Sequence, residues 1–197
     1  GVSTPSFQIE GHRLAGHWTR NSPNQGGPLE PSMVVLHYTA MPDIDAVERW
    51  LCNPEAEVSA HLIVGREGEV RQIVPFDRVA WHAGKSEWRG ESGLNSRSIG
   101  IELVNAGWLD QFEAEGCTRA DLKECLPLNR VHLARHALGG PLRAWERFPE
   151  VQLSALDGLL AELRRAYPAI SDIVGHDEIA PGRKEDPGPA FPMQRFR

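Results

Sequence analysis

The chain of 197 residues is 41% hydrophobic and 24% charged, with 21 basic against 27 acidic side chains and a formal net charge of −6. That length suits one compact domain that needs no staple to bury a core. The acidic balance argues against a nucleic-acid partner, and no apolar run approaches the 18 residues of a membrane-spanning helix. The first residues, GVSTPSFQIEGHR, lack the basic start and apolar middle of a signal peptide. Cys52, Cys117 and Cys125 form no C-x-x-C pair, and their odd number leaves at least one thiol free. They read as small buried hydrophobes. A Cys117–Cys125 disulfide requires a break in any helix between them, because eight helical steps span about 12 Å.

After a lead-in rich in Pro, Gly and Asn, MVVLHYT is a β-branched run bounded by Pro31 and Pro42, which predicts a buried strand ending at His37. DIDAVERWLC places Ile44, Val47, Trp50 and Leu51 at spacings of three and four behind an acidic first turn, an amphipathic helix. HLIVGREGEVRQIVP predicts a hairpin turning near Arg66–Gly68. SIGIELVN predicts the next strand. Side chains alternate along it, so Ile99, Ile101 and Leu103 share one face and Ser98, Gly100 and Glu102 the other. Small residues beside Glu102 leave space over its carboxylate, as in the floor of a site; the plain alternative is a solvent-facing Glu on a half-exposed strand.

Residues 106–148 show no single period. They predict an insertion holding one or two short helices, for instance around Arg130–Leu138. PEVQLSALDGLLAELRRAYP predicts a helix with the stripe Leu153, Leu156, Leu160, Leu163 and Tyr167, begun at Pro149 and stopped by Pro168. DIVGH is a last short strand. The fold class expected is α/β, a single domain over residues 1–197 with a central mixed β-sheet flanked by helices.

His37, Glu102 and His176 fall at or near strand ends, where α/β sheets gather ligands. His176 runs into GHDEIAPGRKEDPGP, whose Pro and Gly fix the turns that carry Lys184 and Asp186. Two imidazoles and a carboxylate suit Zn2+ with a fourth place left to water. Glu102 then suits proton transfer and Lys184 an oxyanion. On spacing alone the plain alternatives stand: histidines bonded to backbone, and a surface Lys184–Asp186 ion pair. The chain has no H-E-x-x-H, G-x-S-x-G or P-loop pattern.

Five motifs in order, VVLHYTA, VSAHLIV, AWHAGKSEWRG, LNSRSIGIELVN and GHDEIAPGRKEDPGPAF, resemble the zinc-dependent N-acetylmuramoyl-L-alanine amidases of the second amidase type, including their AmpD-like branch. That family shares its fold with the peptidoglycan recognition proteins. The resemblance covers about residues 31–105 and 150–197. It implies His37, His176 and Asp186 as Zn2+ ligands, Glu102 as general base and Lys184 as oxyanion partner, in a cleft at the strand ends. His82, Gly84 and Asn95 match loops that line the substrate cleft, or else fix its walls, and His61 matches a structural histidine. The implied substrate is peptidoglycan or a muropeptide. The implied place is the cell envelope or outside it, with the cytoplasm left open. Glu57 and Leu94 stand where the recycling branch carries two arginines for acidic groups of the stem peptide, which implies tolerance of varied stem peptides. A non-catalytic binding module and a secreted wall-lytic effector are the alternatives within the same fold. Binding modules commonly lack a ligand residue, whereas here every position is filled.

Overall fold

The β-branched run at Met33–Tyr38 (β1) is the strand against which the sheet is built. After it come helix α1 (Ile44–Leu51), the hairpin β2 (Leu62–Val64) and β3 (Val70–Gln72), and strand β4 (Ser98–Leu103). Then follow β5 (Trp108–Leu109), β6 (Val131–Ala134), β7 (Arg143–Glu146), helix α2 (Glu150–Ala166), β8 (Asp172–Gly175) and the short helix α3 (His176–Ile179). This computed structural model describes residues 1–113, 116–118 and 126–197, and the side chains outside 111–125. The Cys117–Cys125 question lies outside the described residues, while Cys52 is a half-buried free thiol.

The central sheet runs β8–β1–β4–β2–β3. β8, β1, β4 and β2 are parallel, and β3 returns antiparallel across the hairpin. One face carries the main core. Val34, Leu36, Ile99, Ile101 and Leu103 pack there against Leu153, Leu156, Leu160 and Leu163 of α2. Each buried leucine contributes about 1.5–3 kcal/mol, so packing rather than propensity holds a helix with Gly158 at its centre. Pro149 is the N-cap of this helix. On the opposite face, α1 lays Val47 and Leu51 against Ile63 and Ile73. Asp43 Oδ1 accepts the Ala46 N–H at 2.8 Å, a cap worth about 1 kcal/mol. α1 covers only part of this second face, which leaves the ends of β1 and β4 open there. Among the described residues no helix is long and apolar enough to cross a membrane.

Within Arg130–Leu138, where a helix was expected, the described residues hold no α-helix. Val131–Ala134 is a strand in an antiparallel sheet ordered β5–β7–β6. Trp145 fills the middle of this sheet, with Nε1–H donating to Ala134 O at 3.0 Å. Buried Glu146 ties this layer to the β2–β3 turn. Its carboxylate accepts from Arg66 Nε at 2.7 Å and Nη2 at 3.0 Å, and from Ala106 N at 2.6 Å. A forked charge-assisted contact of this kind is among the stronger hydrogen bonds a protein makes.

Candidate active site

Parallel pairing sets the site. Gly175 is the register partner of Leu36, so the residues that follow, His176 and His37, stand side by side at the strand ends. Glu102 is the partner of His37 across β4. The third group arrives on the loop after α3. Its return is fixed by Asp177 N–H donating to Asp186 O at 2.7 Å, with Gly182 and Gly188 at φ 81° and 79°, angles that most side chains resist.

Three buried atoms converge there. His37 Nδ1 lies 2.9 Å from Asp186 Oδ2 and 3.0 Å from His176 Nδ1, and His176 Nδ1 lies 3.2 Å from Asp186 Oδ2. His176 Nε2 donates to the Ala83 carbonyl at 3.0 Å, so in the neutral ring Nδ1 is a bare lone pair. A proton on one ring nitrogen bridges toward the carboxylate but leaves the remaining lone pairs facing each other. A cation satisfies all three at once, and a tetrahedral ion with bonds of about 2.0 Å sets its ligands about 3.3 Å apart. Among the described residues these three form a group able to hold a metal ion.

The electrostatics agree. Burial, then His176, lower the His37 pKa to about 4 against the pull of Asp186, so the ring is neutral near pH 7. Burial pushes the Asp186 carboxyl up, but His176 and His37 outweigh it and hold the group below the usual carboxylate range. Glu102 behaves oppositely. Burial, then Asp186, raise its pKa well above the ordinary value, with Lys184 opposing. Its Oε2 is buried without a hydrogen-bond partner. Lys184 is exposed at the rim of the cleft.

The profile of the family described as N-acetylmuramoyl-L-alanine amidase matches residues 27–189. The chain belongs to the N-acetylmuramoyl-L-alanine amidase family. This amidase is 33% identical over 186 residues to the 1,6-anhydro-N-acetylmuramyl-L-alanine amidase AmpD of Salmonella typhimurium strain SL1344, an alignment covering 85% of this chain and 80% of that protein. Its fold is similar to the crystal structure of a selenomethionine AmpD derivative, with a TM-score of 0.69 at 27% identity over 96% of this chain and 97% of the other. It is also similar to the Escherichia coli amidase AmiD in complex with anhydro-N-acetylmuramic acid-L-Ala-D-γ-Glu-L-Lys, with a TM-score of 0.63 at 30% identity over 97% of this chain and 64% of that one.

The amidase's triad opens into a cleft of about 770 Å³. Trp50 and Trp81 line one wall, and His136 and Leu138 of the insertion stand on another. The sequence reading put Trp50 in the apolar stripe of α1. It is instead 48% exposed and faces the cleft, because it sits at the edge of the stripe set by Val47 and Leu51. The insertion braces the ligand loop: His136 Nε2 lies 2.9 Å from Asp177 Oδ2 and 3.0 Å from Glu185 O, and Arg143 Nη1 donates to Glu185 Oε1 at 2.9 Å.

Of the three residues matched to substrate-lining loops, only His82 lines the cleft. Its Nδ1 lies 3.0 Å from His37 Nε2. Asn95 turns inward, with Oδ1 accepting from the backbone N–H of His82 at 3.1 Å and of Ala83 at 2.7 Å. Gly84 lies beside the Arg183 guanidinium, whose Nη2 donates to Ala83 O at 2.8 Å and Lys85 O at 2.7 Å. Asn95 thus holds the backbone at His82 and Ala83, and Arg183 holds the carbonyls on either side of Gly84. Leu94 is not among the residues lining the cleft. It is fully buried with Met33, Val35, Ala83, Val174 and Ile179, because the 3₁₀ turn Leu94–Ser96 points it into the core. Glu57 is exposed and is not among the residues lining the cleft.

His61 is structural, as expected. It is wholly buried, Nε2 donates to Arg78 O at 2.8 Å, and Nδ1 accepts the Gly100 N–H at 3.0 Å. A second proton on this ring would face an N–H. Burial lowers its pKa to about 4, against the backbone contact at Arg78. A depressed pKa stabilises the fold above the unfolded value near 6.5, and that stability is lost as pH falls toward 4. The expected loss from this one group is about 3 kcal/mol. Urea midpoints from pH 7 to pH 4 should fall, and fall less steeply in His61→Asn; equal slopes in the two proteins would remove His61 as the cause.

Proposed function

We propose that this amidase hydrolyses the amide between N-acetylmuramic acid and L-alanine in peptidoglycan or its fragments, with Zn2+ held by His37, His176 and Asp186. The observation that carries the reading is the convergence of three buried donor atoms beside the unpartnered Oε2 of Glu102. Bound there, Zn2+ supplies Lewis acidity and water of pKa about 7. The remaining tasks fall to the chain's own groups. Glu102, whose carboxyl holds a proton more readily than an exposed one, takes a proton from water at the cleft floor and returns it to the departing L-alanine nitrogen. Lys184 brings a positive charge from the rim toward the carbonyl oxygen as negative charge develops on it. Its turn is fixed by Lys184 N–H donating to Ala180 O at 3.0 Å. Trp50 and Trp81 offer apolar faces with polar edges, which suit a sugar ring. A muropeptide ligand is supported by the AmiD complex and by a complex of the Pseudomonas aeruginosa protein AmpDh3 with anhydromuramic pentapeptide.

The test is digestion of intact sacculi and of soluble anhydro-muropeptide side by side, with and without chelator. Peptides with a free L-alanine amino terminus should accumulate, chelation should stop their release, and added Zn2+ should restore it. Release that persists after complete removal of metal, or no release from either substrate, would overturn the proposal.

A further inference from the structure

A histidine holds a metal only through a nitrogen that lacks a proton, and the partner of its other nitrogen decides which one that is. For His176 the partner is Ala83 O, which only accepts, so Nε2 carries the hydrogen. For His37 the partner is a second imidazole, and the direction has to be traced further. The Ser98 hydroxyl donates its single hydrogen to Leu94 O at 2.7 Å. Toward His82 Nε2, 3.1 Å away, Ser98 Oγ is therefore an acceptor. His82 then carries its hydrogen on Nε2. A neutral imidazole carries a single ring hydrogen, and His82 is buried with Ser98 Oγ and the His37 ring as its ring-nitrogen partners, so its Nδ1 is bare and accepts Nε2–H of His37 across 3.0 Å. The line ends with His37 Nδ1 bare and turned toward Asp186 and His176.

The surroundings are shaped to this line. A Cβ at Gly100 would overlap Cγ, Cδ2 and Nδ1 of the His82 ring, so the strand is glycine where the ring seats. Ser98 is fully buried. The Asn95 amide oxygen accepts from both His82 N and Ala83 N. One side chain thus pins the segment that supplies acceptors to both ligand rings.

The geometry points to the His82–Ala83 corner, polarised through Ser98 by the Leu94 carbonyl, as the device that sets His37 and His176 to the Nε2–H form before metal arrives. His82 is thereby a positioning residue for the metal rather than a sugar or peptide contact. The inference rests on His37 and His176 being metal ligands, and its first test needs no metal.

Long-range proton–nitrogen spectra of the metal-free protein at pH 7.5 should show His37, His82 and His176 all protonated at Nε2. An Nδ1–H form of His37 or His82 would overturn the proposal even if the enzyme binds Zn2+ and cleaves substrate. Zn2+ affinity by competition with a chromophoric chelator supplies the second readout. His82→Leu should lower it about 10- to 100-fold. His82→Asn should recover most of that loss, because its Oδ1 takes roughly the place of Nδ1. A folded His82→Leu protein with wild-type affinity would sink the inference. Should His82→Leu fail to fold, the wild-type spectrum and His82→Asn decide. Wild-type protein that binds no Zn2+ would overturn the metal reading instead, and would do so whatever the tautomers.

Discussion

Asp186→Ala is expected to release the metal and take amide cleavage to background while the fold survives. The carboxylate supplies one of three converging atoms and the only negative charge among them. What remains is two neutral imidazoles, a poor cage for a divalent ion. Loss of a ligand should exceed the 10- to 100-fold cost in affinity of losing an outer partner, so the drop is expected to pass about 100-fold. The loop need not collapse with it. Asp177 N–H bonds to the backbone carbonyl of residue 186, which alanine keeps, and Arg183 and Arg143 still brace the segment. Metal content after dialysis, circular dichroism and peptide release from anhydro-muropeptide check this together. A folded Asp186→Ala protein that keeps stoichiometric Zn2+ would remove Asp186 from the ligand set.

The parts of this site readable from sequence were those that depend on periodicity and strand ends. Alternation alone placed Glu102 on the face opposite Ile99, Ile101 and Leu103, and that separation holds. The run MVVLHYT placed His37 near the end of a strand, and DIVGH placed His176 just past another. Convergence with Asp186 depends on the register of β8 against β1 and on how the loop after α3 closes. Neither leaves a periodic trace, so family motifs rather than spacing named the third ligand. The role of His82 was out of reach for a related reason. Its partners are residues 37 and 98, brought together by the turn that Asn95 holds. The place of Leu94 was out of reach as well: the family match shows that no arginine stands there, while the 3₁₀ turn that sends the leucine inward leaves no periodic trace. In the insertion, the strand Val131–Ala134 spans only four residues and shows no two-residue alternation of burial, too little to distinguish strand from helix until Arg143–Glu146 supplies the partner strand.

Glu102→Gln is expected to separate catalysis from both metal binding and stability. Its carboxylate is not among the three converging atoms, so Zn2+ content should stay at the wild-type level. Loss of the proton acceptor should slow cleavage about 100-fold or more. Stability should move the other way. Burial and Asp186 raise the Glu102 pKa, and its Oε2 has no partner. A raised carboxyl pKa contributes stability that is present below the unfolded value and lost as pH rises through the folded value. At pH 7 the metal-free wild type therefore carries a penalty, as a buried charge or as the uptake of a proton, which glutamine lacks. Metal-free Glu102→Gln should melt higher than metal-free wild type at pH 7, and the gap should close near pH 4. It should also shrink when Zn2+ is bound, since the ion's charge favours the carboxylate form. This is the stability–activity trade-off expected of a residue kept for its chemistry. Loss of Zn2+ in Glu102→Gln would make the residue a ligand instead. A lower melting temperature at pH 7 with metal absent would show that the carboxylate has a stabilising partner.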